Sequence, residues 1–212
     1  MKKWIIITIS LCFCILSCEN DGNENAYGNE NAYCIKAIKN SPGTTILSKS
    51  EMDVVKKIFN CNQLDYTKYL FTQFQEDELG HHHIRCEQFA NKLIVFTGEA
   101  IFHFDKDDNY YAPPDLINTI NLNTKSLMKQ DNVVEIFIDK IKQYGLNIDN
   151  AEIANSCFDI EFGYYDLNAG ISYADKEFIK VWKINLTNNK YPLAYVNDEN
   201  SEIMFYDNGI RY

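Results

Sequence analysis

Four histidines and a short run of acids are the residues whose types and spacing could do chemistry in this chain. Three histidines are consecutive, His81-His82-His83, and the fourth, His103, follows on a separate apolar segment. Alternate side chains of a strand share a face, so His81 and His83 would present two imidazoles together, the start of a zinc or copper site. A third ligand on a neighbouring strand is then needed. The sequence does not identify one, although His103 is the only histidine left. The reading taken is that no metal is bound, that His83 lies inside a sheet, and that His81 and His82 are polar edge residues. Asp105, Asp107, Asp108 and Asn109 make an oxygen-rich run. It lacks the turn glycine and the distal bidentate glutamate of a calcium loop, and reads as a solvated turn. The sequence contains no H-E-x-x-H, no nucleophile elbow and no glycine-rich phosphate loop. The other carboxylates pair at no convincing spacing. A catalytic role is therefore not expected, and no cofactor is implied.

Cys34, Cys61, Cys86 and Cys157 are the cysteines outside the amino-terminal segment. An even number in an exported chain permits two disulfides in three pairings, or four buried thiols, and nothing in the spacing chooses among them. No C-x-x-C pair occurs, which disfavours thioredoxin-like chemistry and a zinc ribbon. The formal charge of the 212 residues is -10, with no basic stripe, so the chain repels a phosphate backbone and nucleic acid is not an expected partner.

These groups need elements to position them. Residues 50–60 read as a helix capped by Ser50, with acids Glu51 and Asp53 in its first turn and Val54, Val55, Ile58 and Phe59 on one apolar face. Tyr66–Phe74 reads as a strand, with Tyr66, Lys68, Leu70, Thr72 and Phe74 on one side. His82–Phe89 and Leu93–Phe104 follow as two more strands, joined by the tight connection Ala90-Asn91-Lys92, where Asn91 suits a positive φ. Tyr110-Tyr111 returns to strand after the polar turn at 105–109. Ala112-Pro113-Pro114 breaks the pattern and marks a domain boundary. Leu116–Leu122 is extended. A helix from Lys125 to Tyr144 buries Val133, Val134, Ile136, Phe137 and Ile141, and is closed by Gly145. Strands are expected at Cys157–Tyr165, Phe178–Leu186, Leu193–Asn197 and Glu202–Tyr206. Helix first and antiparallel strands after, twice over, gives an α+β fold of two units, each laying a helix across a curved sheet.

The amino terminus carries an address. Lys2 and Lys3 precede an apolar run from Trp4 to Leu16, too short for the roughly 20 residues of a membrane-spanning helix and suited to a secretory signal. Ile15-Leu16-Ser17-Cys18 resembles the bacterial lipobox. That resemblance implies cleavage of residues 1–17 and acylation of Cys18, which would hold the protein to a lipid bilayer at about 0.8 kcal/mol per buried methylene. Residues 18–44 read as a tether. It includes the tandem Gly22-Asn23-Glu24-Asn25-Ala26-Tyr27 and Gly28-Asn29-Glu30-Asn31-Ala32-Tyr33, flexible and acidic. This stretch resembles the one after the lipidated cysteine in surface-exported Bacteroidetes lipoproteins, or is a plain spacer. The resemblance implies a lipid-anchored cell-envelope protein, at the outer membrane and surface-exposed.

One further resemblance covers most of the remaining chain. His83-x-Arg85-x-x-Gln88, then Leu93-x-Val95, Gly98 and His103 are similar to the core of the fungalysin/thermolysin propeptide domain. The helix near 125–144, Val181-Trp182-Lys183-Ile184 and Tyr195-Val196-Asn197 look like the PepSY domain that usually follows it. Lys92 stands where that pattern has Gly, Ile94 where it has Pro, and Asn200-Ser201 where it has Thr-Gly; Asn197 replaces its Asp. The resemblance implies a propeptide-like domain at 45–112 and a PepSY-like domain at 113–212, as two cystatin-like units, each a helix packed on a curved antiparallel sheet. His83, Arg85, Gln88, Val95, Gly98 and His103 would then be motif residues with mainly structural roles, Arg85 in an ion pair or in hydrogen bonds to neighbouring loops. The function implied is that of a non-catalytic inhibitor or folding chaperone of a secreted metallopeptidase. A surface ligand-binding or assembly module that keeps the fold without a peptidase partner is the alternative.

Overall fold

The structure is a computed structural model and describes residues 33–112, 114–117, 119–144, 153, 155–171 and 175–210. Residues 1–32, with Cys18, the segment read as a secretory signal and all of the repeat except Tyr33, lie outside the described residues, as does Gly145.

The fold is α+β, and among the described residues it has two α-helices and one mixed sheet. Strand β1 is Cys34–Ala37, followed by helix α1, Lys49–Cys61, and a turn of 3-10 helix at Tyr66–Lys68. Strands β2 (Tyr69–Glu76), β3 (His82–Ala90), β4 (Leu93–Phe104) and β5 (Tyr110–Ala112) come next. Then follow helix α2 (Gln130–Gln143) and strands β6 (Cys157–Asp166), β7 (Phe178–Leu186), β8 (Leu193–Asn197) and β9 (Ile203–Asp207). The sheet order is β2-β3-β4-β6-β7-β8-β9, with β1 also on β6 and β5 also on β4. No helix among the described residues is long and apolar enough to cross a membrane.

Both helices lie on the same face of the sheet. Met52, Val55, Ile58 and Phe59 of α1 bury against Phe71, Ile84, Cys86, Ala100, Phe102 and Phe104. Val133, Val134, Phe137, Ile138 and Ile141 of α2 bury against Phe158, Ile160, Trp182, Ile184, Ala194 and Val196. The capping residue of α1 is Ser48 rather than Ser50. Its hydroxyl accepts the Glu51 N–H while the Glu51 carboxylate accepts the Ser48 N–H, a reciprocal box worth about 1 kcal/mol. Val54, expected on the buried face, is exposed.

Several segments differ from the sequence expectation. β2 begins after the 3-10 turn, and a register shift between Phe71 and Gln73 ends the simple alternation, so Leu70 and Phe71 are both buried. Residues 116–117 and 119–122 run as a strap rather than a paired strand. Gln88 holds the strap, its amide N–H donating to Asp115 O at 2.9 Å and its oxygen accepting the Ile117 N–H at 2.8 Å. Asn91 adds a bond from Nδ2 to Ile120 O at 2.9 Å. Helix α2 starts at Gln130, not near Lys125, because the backbone before it is taken by side chains: Leu127 and Met128 N–H donate to Asp198, and Lys125 O accepts from Lys180 Nζ. Cys34–Ala37, inside the span read as tether, forms β1 and is disulfide-bonded from Cys34 to Cys157; Cys61 and Cys86 are free thiols.

The two helix-covered halves share one sheet through a short parallel joint, Ile94 on Gly163 and Val95 on Tyr164. A Cβ at Gly163 would stand 2.5 Å from Ile94 O and 2.8 Å from the Phe96 ring. The joint therefore requires glycine. We expect Gly163→Ala to lower stability in urea unfolding by about 1–3 kcal/mol, the usual cost of forced overpacking; an unchanged midpoint would show that the joint opens freely.

Candidate functional site

The motif residues distribute over both faces of the sheet. His83 of β3 and His103 of β4 are register partners on the face without helices. Their Nδ1 atoms are 2.7 Å apart, and His83 Nε2 lies 3.4 Å from Asp77 Oδ2. The same Asp77 oxygen is 3.3 Å from His81 Nδ1. Backbone N–H groups of His81 and Leu79 donate to Asp77 Oδ1, and with the nearby imidazoles they hold its carboxyl below the usual range. The Tyr111 ring lies beside both His81 and His103. One proton can bridge the two Nδ1 atoms, but two would face each other. Burial, then the His83 charge, accordingly push the His103 pKa down.

His103 is thus the neighbour-strand histidine that the sequence could not assign, and Asp77 joins it from the β2–β3 turn. Among the described residues, no group of three or more His, Cys, Asp or Glu side chains is placed to hold a metal ion. The geometry gives the reason: His83 and His103 aim Nδ1 at each other rather than at a common point. His82 is on the opposite face, stacked on Phe74 with its Nδ1 3.2 Å from Asp108 Oδ1. Asp108 also pairs with Lys57 of α1, so His82 is a structural link rather than an edge residue. Asp105 accepts the Asp107 and Asn109 N–H groups, closing its turn on itself.

Of the remaining motif positions, Val95 is fully buried and Gly98 lies in the stretch of β4 where its pairing with β3 is irregular. A Cβ there would be 2.9 Å from Val95 O. Gln88 is buried and holds the strap. Arg85 makes an exposed ion pair with Glu99 at 2.9 Å, an interaction worth at most about 1 kcal/mol in water.

The helix-free face also carries Glu87, Glu161, Lys183 and a row of rings. Phe96, Tyr165 and Phe205 each lie within 5.8 Å of Tyr195, centroid to centroid. Burial, then Glu99, raise the Glu87 pKa, against the lowering by Lys183. Burial raises that of Glu161, and pushes the Tyr195 phenol up to about 12. This face can present a partner with aromatic surface and carboxyl groups of altered acidity.

Sequence reading missed the most buried charges. Asp198 is 2% exposed and Lys180 4%, with Nζ 3.3 Å from Asp198 Oδ2. The Asp198 carboxylate also accepts Leu127 N–H, Met128 N–H and Trp182 Nε1–H. One signal existed. Lys180 precedes Trp182, Ile184 and Leu186 at strand spacing, which puts a lysine on the buried face and demands an acid. No protein-family model matches the chain, and no curated protein is significantly similar to it.

Two outcomes test these arrangements. Asp198→Asn leaves the Lys180 charge buried without its counterion, and should lower unfolding free energy by about 3–5 kcal/mol. His103 favours its neutral form when folded, so stability present above the ordinary histidine value is lost as pH falls through the lowered one. His103→Gln should flatten the acid side of a stability–pH curve; an unaltered curve would sink that assignment.

Proposed function

We propose that the chain is a lipid-anchored envelope protein that acts, without catalytic groups of its own, as an inhibitor or folding chaperone of a secreted metallopeptidase. Its fold in this reading is two cystatin-like units, propeptide-like at 45–112 and PepSY-like at 113–212, with the partner binding at the helix-free face.

The observation that carries the reading is backbone conformation at the two positions where the motif has lost glycine. Lys92 has φ 68° and Ser201 has φ 65°. A left-handed residue with a side chain costs about 1–2 kcal/mol. Both residues bear that cost where the resembled pattern carries Gly, as expected if the two turns are fixed by a shared fold. Gly98, kept from the motif, stands where a Cβ does not fit. The Cys34–Cys157 disulfide supports an oxidising compartment, in keeping with the lipobox at Ile15–Cys18.

A surface ligand-binding module is the second reading, and a cavity beside β1 favours it. The two separate in one experiment. The protein, purified with Cys18 replaced by Ser, is mixed with secreted metallopeptidases of the source organism, and activity, refolding yield and complex formation are followed. Stoichiometric inhibition or a gain in refolding yield is expected, weakened about tenfold or more by Arg85→Glu with Lys183→Glu. No complex, no inhibition and no refolding gain would end the peptidase reading.

A further inference from the structure

β6 has two neighbours on one edge. β1 pairs with it as far as Ile160, and β4 joins it from Gly163. Glu161 and Phe162 stand between these two pairings, beside a gap in the sheet. A cavity of about 330 Å³ occupies the gap. Ile38 lines it on the β1 side, Leu93 and Ile94 on the β4 side, and Phe162 and Trp182 from β6 and β7. Volumes of roughly 300–1,000 Å³ with mainly apolar walls and few polar groups are typical of small-molecule sites. At about 30 Å³ for each water-sized group, this one holds roughly ten heavy atoms.

The polar group that matters is Glu161. It is 6% exposed and lines the cavity. Asn40 supplies its hydrogen bonds, with the backbone N–H 3.3 Å from Oε1, and an amide brings no charge. Among the described residues Glu161 makes no ion pair; Lys183, the cation that acts on it, holds its ammonium 5.7 Å from the centre of the Phe96 ring. The contrast with Asp198 is direct, since that carboxylate has a lysine and three N–H donors. The cross-strand neighbour of Glu161, Lys183, acts on it without an ion-pair contact, and a carboxylate withdrawn from water with no cation in contact is a site for one. An anionic ligand would meet its charge, and a purely apolar one would strip its remaining water. Lys39 and Lys92 also line the cavity, but both are exposed and keep their own hydration.

We propose that the gap between β1 and β4 binds a small primary amine with an apolar body. The ammonium group pairs with Glu161, and the body lies against Phe162 and Trp182.

Trp182 makes the test direct. The sequence has two tryptophans, Trp4 and Trp182, so in the full chain carrying Trp4→Phe the emission comes from the cavity wall alone. Three probes of like shape are titrated in detergent solution: 2-phenylethylamine, 2-phenylethanol and 3-phenylpropionate. A saturable change with the amine is expected, with affinity about tenfold or more above the other two. Glu161→Gln should remove the amine's advantage and leave 2-phenylethanol unaffected. Should that variant fail to fold, Ile38→Phe fills the cavity with Glu161 intact and should abolish binding. Equal affinity for the three probes, no saturable signal below about 10 mM, or amine binding that survives both substitutions would overturn the proposal.

Discussion

The structure depends on one strand edge being shared. β6 offers the same side first to β1 and then to β4, and the second pairing lasts two residues. Gly163 permits it, since any Cβ there would meet the Ile94 carbonyl oxygen at 2.5 Å. Through this joint the hairpins before α2 and the strands after it become one sheet. Each half then needs only one helix, and both helices take the same face. The other face keeps its aromatic and charged side chains for solvent or a partner. The gap next to the joint lies where the first parallel pairing has ended at Ile160 and the second has not begun before Gly163.

Two buried carboxylates show how differently this sheet treats charge. Asp198 has its full set of partners, and those partners are structural. By engaging Leu127 and Met128 N–H it holds these two residues out of helical geometry and sets the start of α2, with its charge near the positive end of the helix. A pair of this kind contributes little net stability over an apolar replacement, but breaking it is costly, so it acts mainly by excluding alternatives. Glu161 sits as deep and has amide donors alone. Desolvation therefore raises its pKa, and below that value a neutral acid is the favoured form. Burial is similar in the two cases; the difference lies in the counterion.

Local signals account for what the sequence made legible. β4, β7 and β8 were expected at the bounds observed, because their apolar runs stop at residues that prefer turns. Asn91 takes the positive φ expected of it, and Lys92 takes one as well, which its own residue type does not favour. Errors fall where a distant side chain decides. The start of α2 depends on Asp198, seventy residues away, and no periodicity records that bond. β1 was hidden because Cys34-Ile35-Lys36-Ala37 is short and follows a polar repeat; a long-range disulfide and a parallel partner make it a strand. The His83–His103 contact was half legible. Both residues were singled out, but their register required knowing how β3 pairs with β4 across the irregular stretch between Glu87 and Phe89.

The helix-free face bears most directly on how such a protein would bind a partner. A sheet face that binds a folded partner needs a dry centre and a polar rim. Here the Phe96–Tyr195–Phe205 row supplies rings, Phe205 being 40% exposed, and Arg85, Glu99 and Lys183 supply charge around it. Glu87 is half-buried and destabilised by Glu99. A cationic side chain brought by a partner would relieve that repulsion, whereas an apolar patch would worsen it. Association through this face therefore favours a partner that carries a basic residue to the Glu87–Glu99 pair, and the Arg85–Glu99 ion pair can open to admit it, since an exposed pair of this kind costs at most about 1 kcal/mol to break.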